Sequence, residues 1–325
     1  MPRNTLLHRI AAAATGIALV ASLAACSAQA TDTPTTSADT RVVATAHGDI
    51  TVPAAPQRVV SLQSWTTESL IDLGVTPVGV EDPGEQYVPA RYLDTWKAAD
   101  KVTSGAEIDF EKIAALKPDL IVGVAVPYLD KAYEKLSAIA PTAFVKWDDT
   151  KPWTSYPDAT ADFVNRPDQL AQLEKKYEER LDEVKSKYAT ELSTLKWDII
   201  QGGFDAGNYW IYAPAASPAG QVLTALGAQF ASASASVDLA AKTRSVSYEQ
   251  ADLLSDADVI VCYQNNDGSP ANNIDQLFAL PAWKSLPAVT SGGLVGTSDF
   301  LAGSYSDFLG LLQTIEDHLA SVAGR

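Results

Sequence analysis

The sequence has 325 residues, 46% of them hydrophobic, which is enough apolar material for the cores of about two domains. Asp and Glu outnumber Lys and Arg by 40 to 24, giving a formal net charge of -16. Such an acidic balance argues against nucleic acid or an anionic membrane surface as the binding partner.

The first 25 residues have the layout of a secretory signal: two arginines, then an alanine-rich apolar run over residues 10–21 that is too short to span a membrane. The run ends in the motif Leu-Ala-Ala-Cys at Cys26, which resembles the bacterial lipobox. That resemblance implies that Cys26 becomes the lipidated first residue of an extracytoplasmic, membrane-anchored protein. A chance cysteine after an ordinary signal is the alternative. Residues 26–40 are rich in Ser, Thr and Ala and are predicted to be a flexible tether.

Residues 41–164 are predicted to form an N-terminal α/β lobe, because short apolar strands alternate with helices. The predicted strands are Arg58–Leu62, Val78–Val80, Leu120–Val126 and Thr142–Val145. The predicted helices are Glu68–Leu73, Ile108–Leu116 and Tyr128–Ile139. The sheet should be mostly parallel, and no G-x-G-x-x-G follows a strand, so a dinucleotide fingerprint is missing.

Residues 165–195 carry apolar side chains every three or four positions among dense charge, which predicts one long helix. Asn165 is expected to cap its start, and Pro167 suits the first turn. A helix of this length would reach roughly 40 Å and could act as a rigid connection between two lobes. An ordinary amphipathic surface helix within one domain is the alternative.

Residues 196–325 are predicted to form a second α/β lobe, because the strand–helix alternation starts again. The segment Asp109–Val122 has a counterpart in Ser247–Val261: each has a glutamate near a helix start, a turn with Asp and a buried strand. This similarity indicates an internal duplication of one α/β unit. Cys262, inside the second of these strands, is expected to be a buried free thiol.

Four segments in this order resemble the solute-binding lipoproteins of ABC importers for ferric siderophores, haem and cobalamin. They are RVVSLQSWTTESLIDLGVTPVGV, DFEKIAALKPDLIVGV, SYEQADLLSDADVIV and LPAWKSLPAVTSGGLVGTSDF. The resemblance runs from about Arg58 to the end of the chain. It implies two Rossmann-like α/β lobes joined by a single long α-helix, with the ligand cleft between the lobes. It also implies an ABC permease as the partner of a monomeric binding protein.

In that family, one glutamate on each lobe pairs with permease arginines during docking, and the matching residues here are Glu111 and Glu249. Simple stabilisation of a helix start by a carboxylate is the alternative reading of both.

The ligand site is expected beyond the carboxyl ends of the strands, where ligands bind in open α/β sheets. Aromatic residues and arginines in these loops suit a large chelate with carbonyl or hydroxamate oxygens. The candidates are Trp65, Arg91, Tyr128, Trp147, Arg244, Tyr263, Phe300 and Tyr305. Three further tryptophans, Trp153, Trp197 and Trp283, are assigned to the core.

The class of cargo is inferred largely from the scarcity of histidine in the chain and of basic residues in the predicted cleft. The three histidines lie far apart in the sequence, which argues against direct transition-metal binding, and no resident cofactor is expected. Haem would lack an obvious axial ligand, and both haem and cobalamin remain alternative cargoes. The basic residues predicted for the cleft are few, so a ferric siderophore of hydroxamate or mixed type is favoured over a strongly anionic catecholate. No hydrolase, metalloprotease or phosphate-loop motif supports an enzyme, and an adhesive lipoprotein is the remaining alternative.

Overall fold

The computed structural model describes residues 39–147 and 152–323. The predicted signal, Cys26 and almost all of the predicted tether lie outside these residues. Among the described helices, none has both the length and the apolarity that a membrane span requires.

The N-terminal lobe is built on a five-stranded parallel sheet. Its strands, with two small antiparallel hairpins, are β1 Thr40–Thr45, β2 Gly48–Pro53, β3 Val59–Ser61, β4 Gly79–Val80, β5 Asp100–Lys101, β6 Thr103–Ser104, β7 Glu107–Ile108, β8 Leu120–Val124 and β9 Thr142–Val145. Its helices are α1 Ser64–Asp72, α2 Leu93–Ala98, α3 Phe110–Ala115, α4 Pro127–Ser137 and α5 Ser155–Val164, with 3-10 turns at Glu85–Tyr87 and Ala90–Tyr92.

The strand order of this sheet is β5-β4-β3-β8-β9, so the direction of winding reverses between β3 and β8. In doubly wound sheets a ligand binds beside such a reversal, at the carboxyl ends of the strands. Every residue of β3, β8 and β9 is buried, as expected for parallel strands covered by helices on both faces.

The connecting helix is shorter than the sequence predicts. α6 runs over Pro167–Lys187, about 31 Å, and the shorter α7 follows at Ala189–Thr194. Tyr188 leaves helical geometry between them and is buried in the second lobe. Asn165 does not cap α6: it ends α5 in the left-handed conformation, with φ 55°, and Arg166 occupies the capping position of α6.

α6 nevertheless joins the two lobes. Leu170 and Leu173 pack against the core of the N-terminal lobe and also against that of the C-terminal lobe. Farther along, Tyr177 and Val184 are buried in the C-terminal core alone.

The C-terminal lobe contains a six-stranded mixed sheet of order β13-β11-β10-β14-β15, with β12 also paired to β10. Its strands are β10 Lys196–Gly202, β11 Asn208–Tyr212, β12 Gln229–Phe230, β13 Thr243–Ser247, β14 Val259–Tyr263 and β15 Leu294–Thr297. Its helices are α8 Pro218–Leu226, α9 Ser232–Ala235, α10 Asp275–Ala279, α11 Pro281–Lys284, α12 Pro287–Thr290 and α13 Tyr305–Val322, with 3-10 turns at Tyr248–Leu254 and Ser298–Leu301.

Several predictions about this lobe are confirmed. Trp153, Trp197 and Trp283 are buried, and so is the free thiol of Cys262, whose pKa burial raises to about 12. The duplicated segment around Glu249 differs from its counterpart in one respect, because it forms a kinked 3-10 turn where α3 is an α-helix.

Candidate functional site

The carboxyl edges of the two sheets face each other. Hydrogen bonds cross between loops that follow strands of opposite lobes: Trp65 Nε1 donates to the carbonyl of Leu301 at 3.0 Å. The side-chain amide of Asn266, beyond β14, donates to the carbonyls of Gln86 and Val88, beyond β4. The space between the lobes is therefore bounded by the loops in which the sequence places the ligand site.

Four of the eight large apolar side chains that are exposed among the described residues lie in these loops. Tyr87, Trp147, Phe204 and Leu301 are 43, 44, 73 and 44% exposed, and they follow β4, β9, β10 and β15 respectively. We call these four residues the rim. Exposed aromatic groups at the carboxyl edges of both lobes are typical of a binding surface, since they otherwise cost solvation free energy.

Trp65 lies beside the reversal point of the N-terminal sheet and packs across the lobe boundary. Its ring contacts that of Tyr156, with centroids 4.9 Å apart, and lies against Gly303. A Cβ at position 303 would overlap the indole, so glycine is required for this close approach.

Arg91 is paired with two carboxylates of the opposite lobe. Its guanidinium makes two hydrogen bonds of 2.7 Å to Asp299 and one of 2.6 Å to Asp307. These carboxylates raise the pKa of Arg91 against the opposing effect of burial. The structure thus brings Arg91 to the cleft, with its charge already balanced by acidic groups.

Two further carboxyl groups, one buried and one half-buried, lie close to this cluster of charges. Glu68, on α1, is 8% exposed, and burial is the main cause that raises its pKa well above the ordinary value. Glu81 follows β4 and accepts a hydrogen bond from the Ser64 hydroxyl. Burial raises the pKa of Glu81 to about 7. This part of the cleft is therefore acidic to neutral.

The other aromatic candidates lie deeper. Tyr128, at the start of α4, is half-buried, and burial raises its pKa to about 12. Tyr263, Phe300 and Tyr305 are 6, 0 and 2% exposed, and Tyr263 stacks on Phe300. The structure places these three residues in the wall beneath the cleft surface, because the C-terminal core covers their rings.

Arg244 is not at the carboxyl edge. It lies within the edge strand β13, opposite Ile211, and its charge acts on the Asp198 carboxyl and the Tyr209 hydroxyl. Its Nε is buried and has no hydrogen-bond partner. The structure therefore places Arg244, half-buried, within an edge strand and not in a loop at the carboxyl edge.

Glu111 and Glu249 are both exposed in the first turn of their helices, one on each lobe. Asp109 caps the first helix by accepting from the Lys112 N–H at 2.9 Å. Ser247 caps the second by accepting from the Glu249 N–H at 3.4 Å. Neither glutamate carboxylate is needed for those caps, so both are available at the surface.

Sequence reasoning missed several residues that shape the cleft. Tyr87 follows the predicted strand Val78–Val80, so the carboxyl-edge rule could have selected it, as it placed Phe204 and Leu301 in loops beside the cleft. Asp299, Asp307 and Glu68 carried no such signal, since their partners are remote in sequence. Among the described residues, no group of three His, Cys, Asp or Glu side chains converges as a metal site.

Comparison with known proteins agrees with this architecture. The family model described as "periplasmic binding protein" matches residues 59–299. The probable siderophore-binding lipoprotein YfiY of Bacillus subtilis is 30% identical over 320 residues, covering 91% of this chain and 93% of YfiY.

Solved structures show the same likeness. The siderophore periplasmic binding protein from the fuscachelin gene cluster of Thermobifida fusca superposes with a TM-score of 0.73 at 30% identity, covering 83% of this chain and 99% of that one. Staphylococcus aureus SirA, solved with staphyloferrin B, superposes with a TM-score of 0.68 at 25% identity, covering 86 and 98%. These matches confirm the two-lobed fold, and the chain belongs to the periplasmic binding protein family.

Proposed function

We propose that this protein captures a ferric siderophore outside the cytoplasm and delivers it to an ABC import permease. The observation that carries the proposal is the rim of exposed apolar side chains, drawn from both lobes and placed where the carboxyl edges of the two sheets meet. A large chelate can be enclosed by such a surface through apolar contact, with few directional bonds. The names of YfiY and of the two structural relatives support iron-chelate cargo.

The charge of the cleft favours a near-neutral cargo. The charge of Arg91 is balanced by Asp299 and Asp307. A ferric tris-hydroxamate core is electrically neutral, whereas a tris-catecholate core is anionic and would be repelled by carboxylates. We therefore propose a hydroxamate or mixed chelate.

Delivery requires an anchor and a docking surface. We propose that Cys26 carries the lipid anchor at the extracytoplasmic face and that Glu111 and Glu249 meet basic residues of the permease. The protein would be a monomer. It would bind the iron chelate as its cargo, and it would carry out no catalysis and hold no resident cofactor.

The proposal is tested by titrating intrinsic tryptophan fluorescence with ferric hydroxamate, ferric catecholate, haemin and cobalamin. Tyr87→Ala and Phe204→Ala keep every tryptophan and remove rim surface, so each should weaken binding of the preferred chelate about tenfold, which corresponds to ~1.4 kcal/mol. The matched control is Leu239→Ala, which removes a side chain that is 58% exposed and lies before β13. It should leave the affinity unchanged.

Three results would contradict the proposal. Equal affinity of both rim variants and the wild type would remove the rim from the site. Tighter binding of the anionic catecholate than of the hydroxamate would overturn the proposed class of cargo, and saturable binding of haemin or cobalamin alone would replace it.

A further inference from the structure

A hydrogen bond between two carboxyl groups links the lobes. Glu68 belongs to α1 of the N-terminal lobe, and Asp307 lies in the first turn of α13 in the C-terminal lobe. Their side chains hydrogen-bond each other, and the residues are only 8 and 1% exposed. Two carboxylates cannot both be ionised so close together in a buried place without strong repulsion, so the pair shares one proton.

The other hydrogen bonds assign that proton to Glu68. Asp307 already accepts from Arg91 at 2.6 Å and from the backbone N–H groups of Gly303 and Ser304 at 3.3 and 3.2 Å. These donors stabilise an ionised Asp307. At Glu68, burial and the charges of Asp307 and Glu81 act in the same direction and raise the pKa. Glu68 is thus the donor, and Asp307 is the acceptor.

Ionisation of Glu68 would add a negative charge to surroundings that are already acidic. Six titratable or charged groups face the pair from α1, the loops beyond β4, the end of β14 and the turn before α13: Asp72, Glu81, Arg91, Tyr92, Tyr263 and Asp299. Arg91 is the cation that contacts the pair, and Asp299 shares it. It therefore cannot balance a second ionised carboxylate beside Asp307.

The chain makes room for this arrangement at a cost to helix stability. Gly310 lies inside α13, where glycine is less favourable than alanine. A Cβ at this position would overlap both the Asp299 carboxylate and the Arg91 guanidinium. The glycine is explained by the interlobe ion pair, which holds Asp307 ionised beside Glu68.

We propose that the Glu68–Asp307 pair is a proton-dependent contact between the lobes, which holds them together while Glu68 is protonated and favours their separation when Glu68 ionises. When the lobes separate, water reaches Glu68 and its pKa returns towards the ordinary value. Because the pKa is higher in the closed form, closure takes up a proton. The stabilisation is then present at low pH and is lost as the pH rises through the closed-form pKa, with the closed-to-open ratio falling by up to about tenfold per pH unit. Cargo release would be favoured by rising pH.

The test measures the distance between nitroxide labels on the two lobes by pulsed electron spin resonance, without added chelate. The labels are attached through Lys131→Cys on α4 and Lys284→Cys on α11, both exposed, in the full chain carrying Cys26→Ser. Cys262 is buried and stays unlabelled. The wild type should give the short distance at about pH 5 and gain a longer component towards about pH 9.

Glu68→Gln keeps a donor for Asp307 and cannot ionise, so it should keep the short distance over the whole pH range. Asp307→Asn provides a second variant that removes the repulsion; it should weaken the pH dependence without abolishing it, because burial of Glu68, the main cause of its raised pKa, remains. Glu81→Gln is the matched control: this carboxyl is nearby and titrates at about 7, but the contact it makes is with Ser64 of its own lobe. Circular dichroism establishes that each variant is folded.

A pH-independent distance in the wild type would overturn the proposal. So would an unchanged transition in folded Glu68→Gln, or a transition lost in Glu81→Gln. Because no cargo is added, these results are independent of whether the protein binds a ferric siderophore.

Discussion

Arg91 illustrates what the sequence can and cannot predict at the scale of one residue. Its place in a loop beyond β4 is predictable, because the strand–helix alternation marks that loop as part of the carboxyl edge. Its partners are not, since Asp299 and Asp307 lie 208 and 216 residues away. The same limit explains why the position of Arg244 was not predicted. Its surroundings are set by the pairing of β13 with β11, which no local sequence pattern indicates.

The pairing of Arg91 predicts that Arg91→Lys destabilises the protein. Lysine keeps the positive charge but lacks the planar guanidinium that donates to both oxygens of Asp299 and to Asp307. These nearly buried carboxylates would therefore lose charged hydrogen bonds. We expect a loss of about 1–3 kcal/mol in the free energy of unfolding, measured by urea denaturation at neutral pH.

Arg166→Lys is the control for this substitution, because Arg166 donates to two local carbonyls at 3.4 and 3.2 Å. It should change the free energy of unfolding by less than about 0.5 kcal/mol. If Arg91→Lys leaves stability unchanged and lowers chelate affinity alone, Arg91 is a ligand residue whose pairing with the aspartates is dispensable.

At the scale of elements, buried strands are predicted best and irregular segments worst. The observed bounds of β9 agree with the prediction, because an uninterrupted apolar run leaves little choice of structure. The β1–β2 hairpin was missed, since only one residue of each strand is buried and no apolar run marks it. The end of α6 was missed for another reason: Leu192 continues the helical spacing, while the turn at Tyr188 depends on burial of its ring.

α6 is a continuous helix of 21 residues that packs against both cores, so the change of shape on cargo binding should be small. Compact-domain scaling gives a radius of gyration of roughly 19 Å for a chain of this size. Small-angle X-ray scattering with and without the chelate should show only a slight decrease from the chelate-free value.

The connecting role of α6 is tested by replacing Lys175 and Lys176, both exposed, with two glycines or with two alanines. The glycine pair should be less stable than the alanine pair by about 2 kcal/mol and should compact more on binding. The alanine pair is the control and should behave as the wild type. A large compaction of the wild-type protein would show that α6 does not restrict the movement of the lobes.

At the scale of the whole molecule, the duplication predicts more than the individual strands do. It places Glu111 and Glu249 second in their helices, on opposite lobes, and the structure finds both exposed there. The relative position of the lobes was not predictable, because it depends on contacts such as those of Asn266 and Arg91 between loops. The cargo also remains a proposal at this scale, since it rests on the shape and charge of the space between the lobes.

The docking role of the two glutamates is tested by Glu111→Lys/Glu249→Lys. If both carboxylates meet permease arginines, each reversal replaces an attraction with a like-charge contact, and uptake should fall by a factor of about 100 if each site costs roughly 1.4 kcal/mol. Chelate affinity should stay within about twofold, because neither side chain belongs to the rim. Loss of a carboxylate at a helix start can cost about 0.3–1 kcal/mol per site, so unfolding is measured first.

Glu134→Lys/Glu178→Lys makes the same change of net charge at exposed positions on α4 and α6, and it should leave uptake unchanged. This control separates local docking from the effect of total charge on encounter with the membrane. Wild-type uptake by a folded Glu111→Lys/Glu249→Lys protein would leave helix stabilisation as the only role of these residues. Loss of chelate binding in that variant would instead place the carboxylates in the binding site, because a docking residue acts after capture.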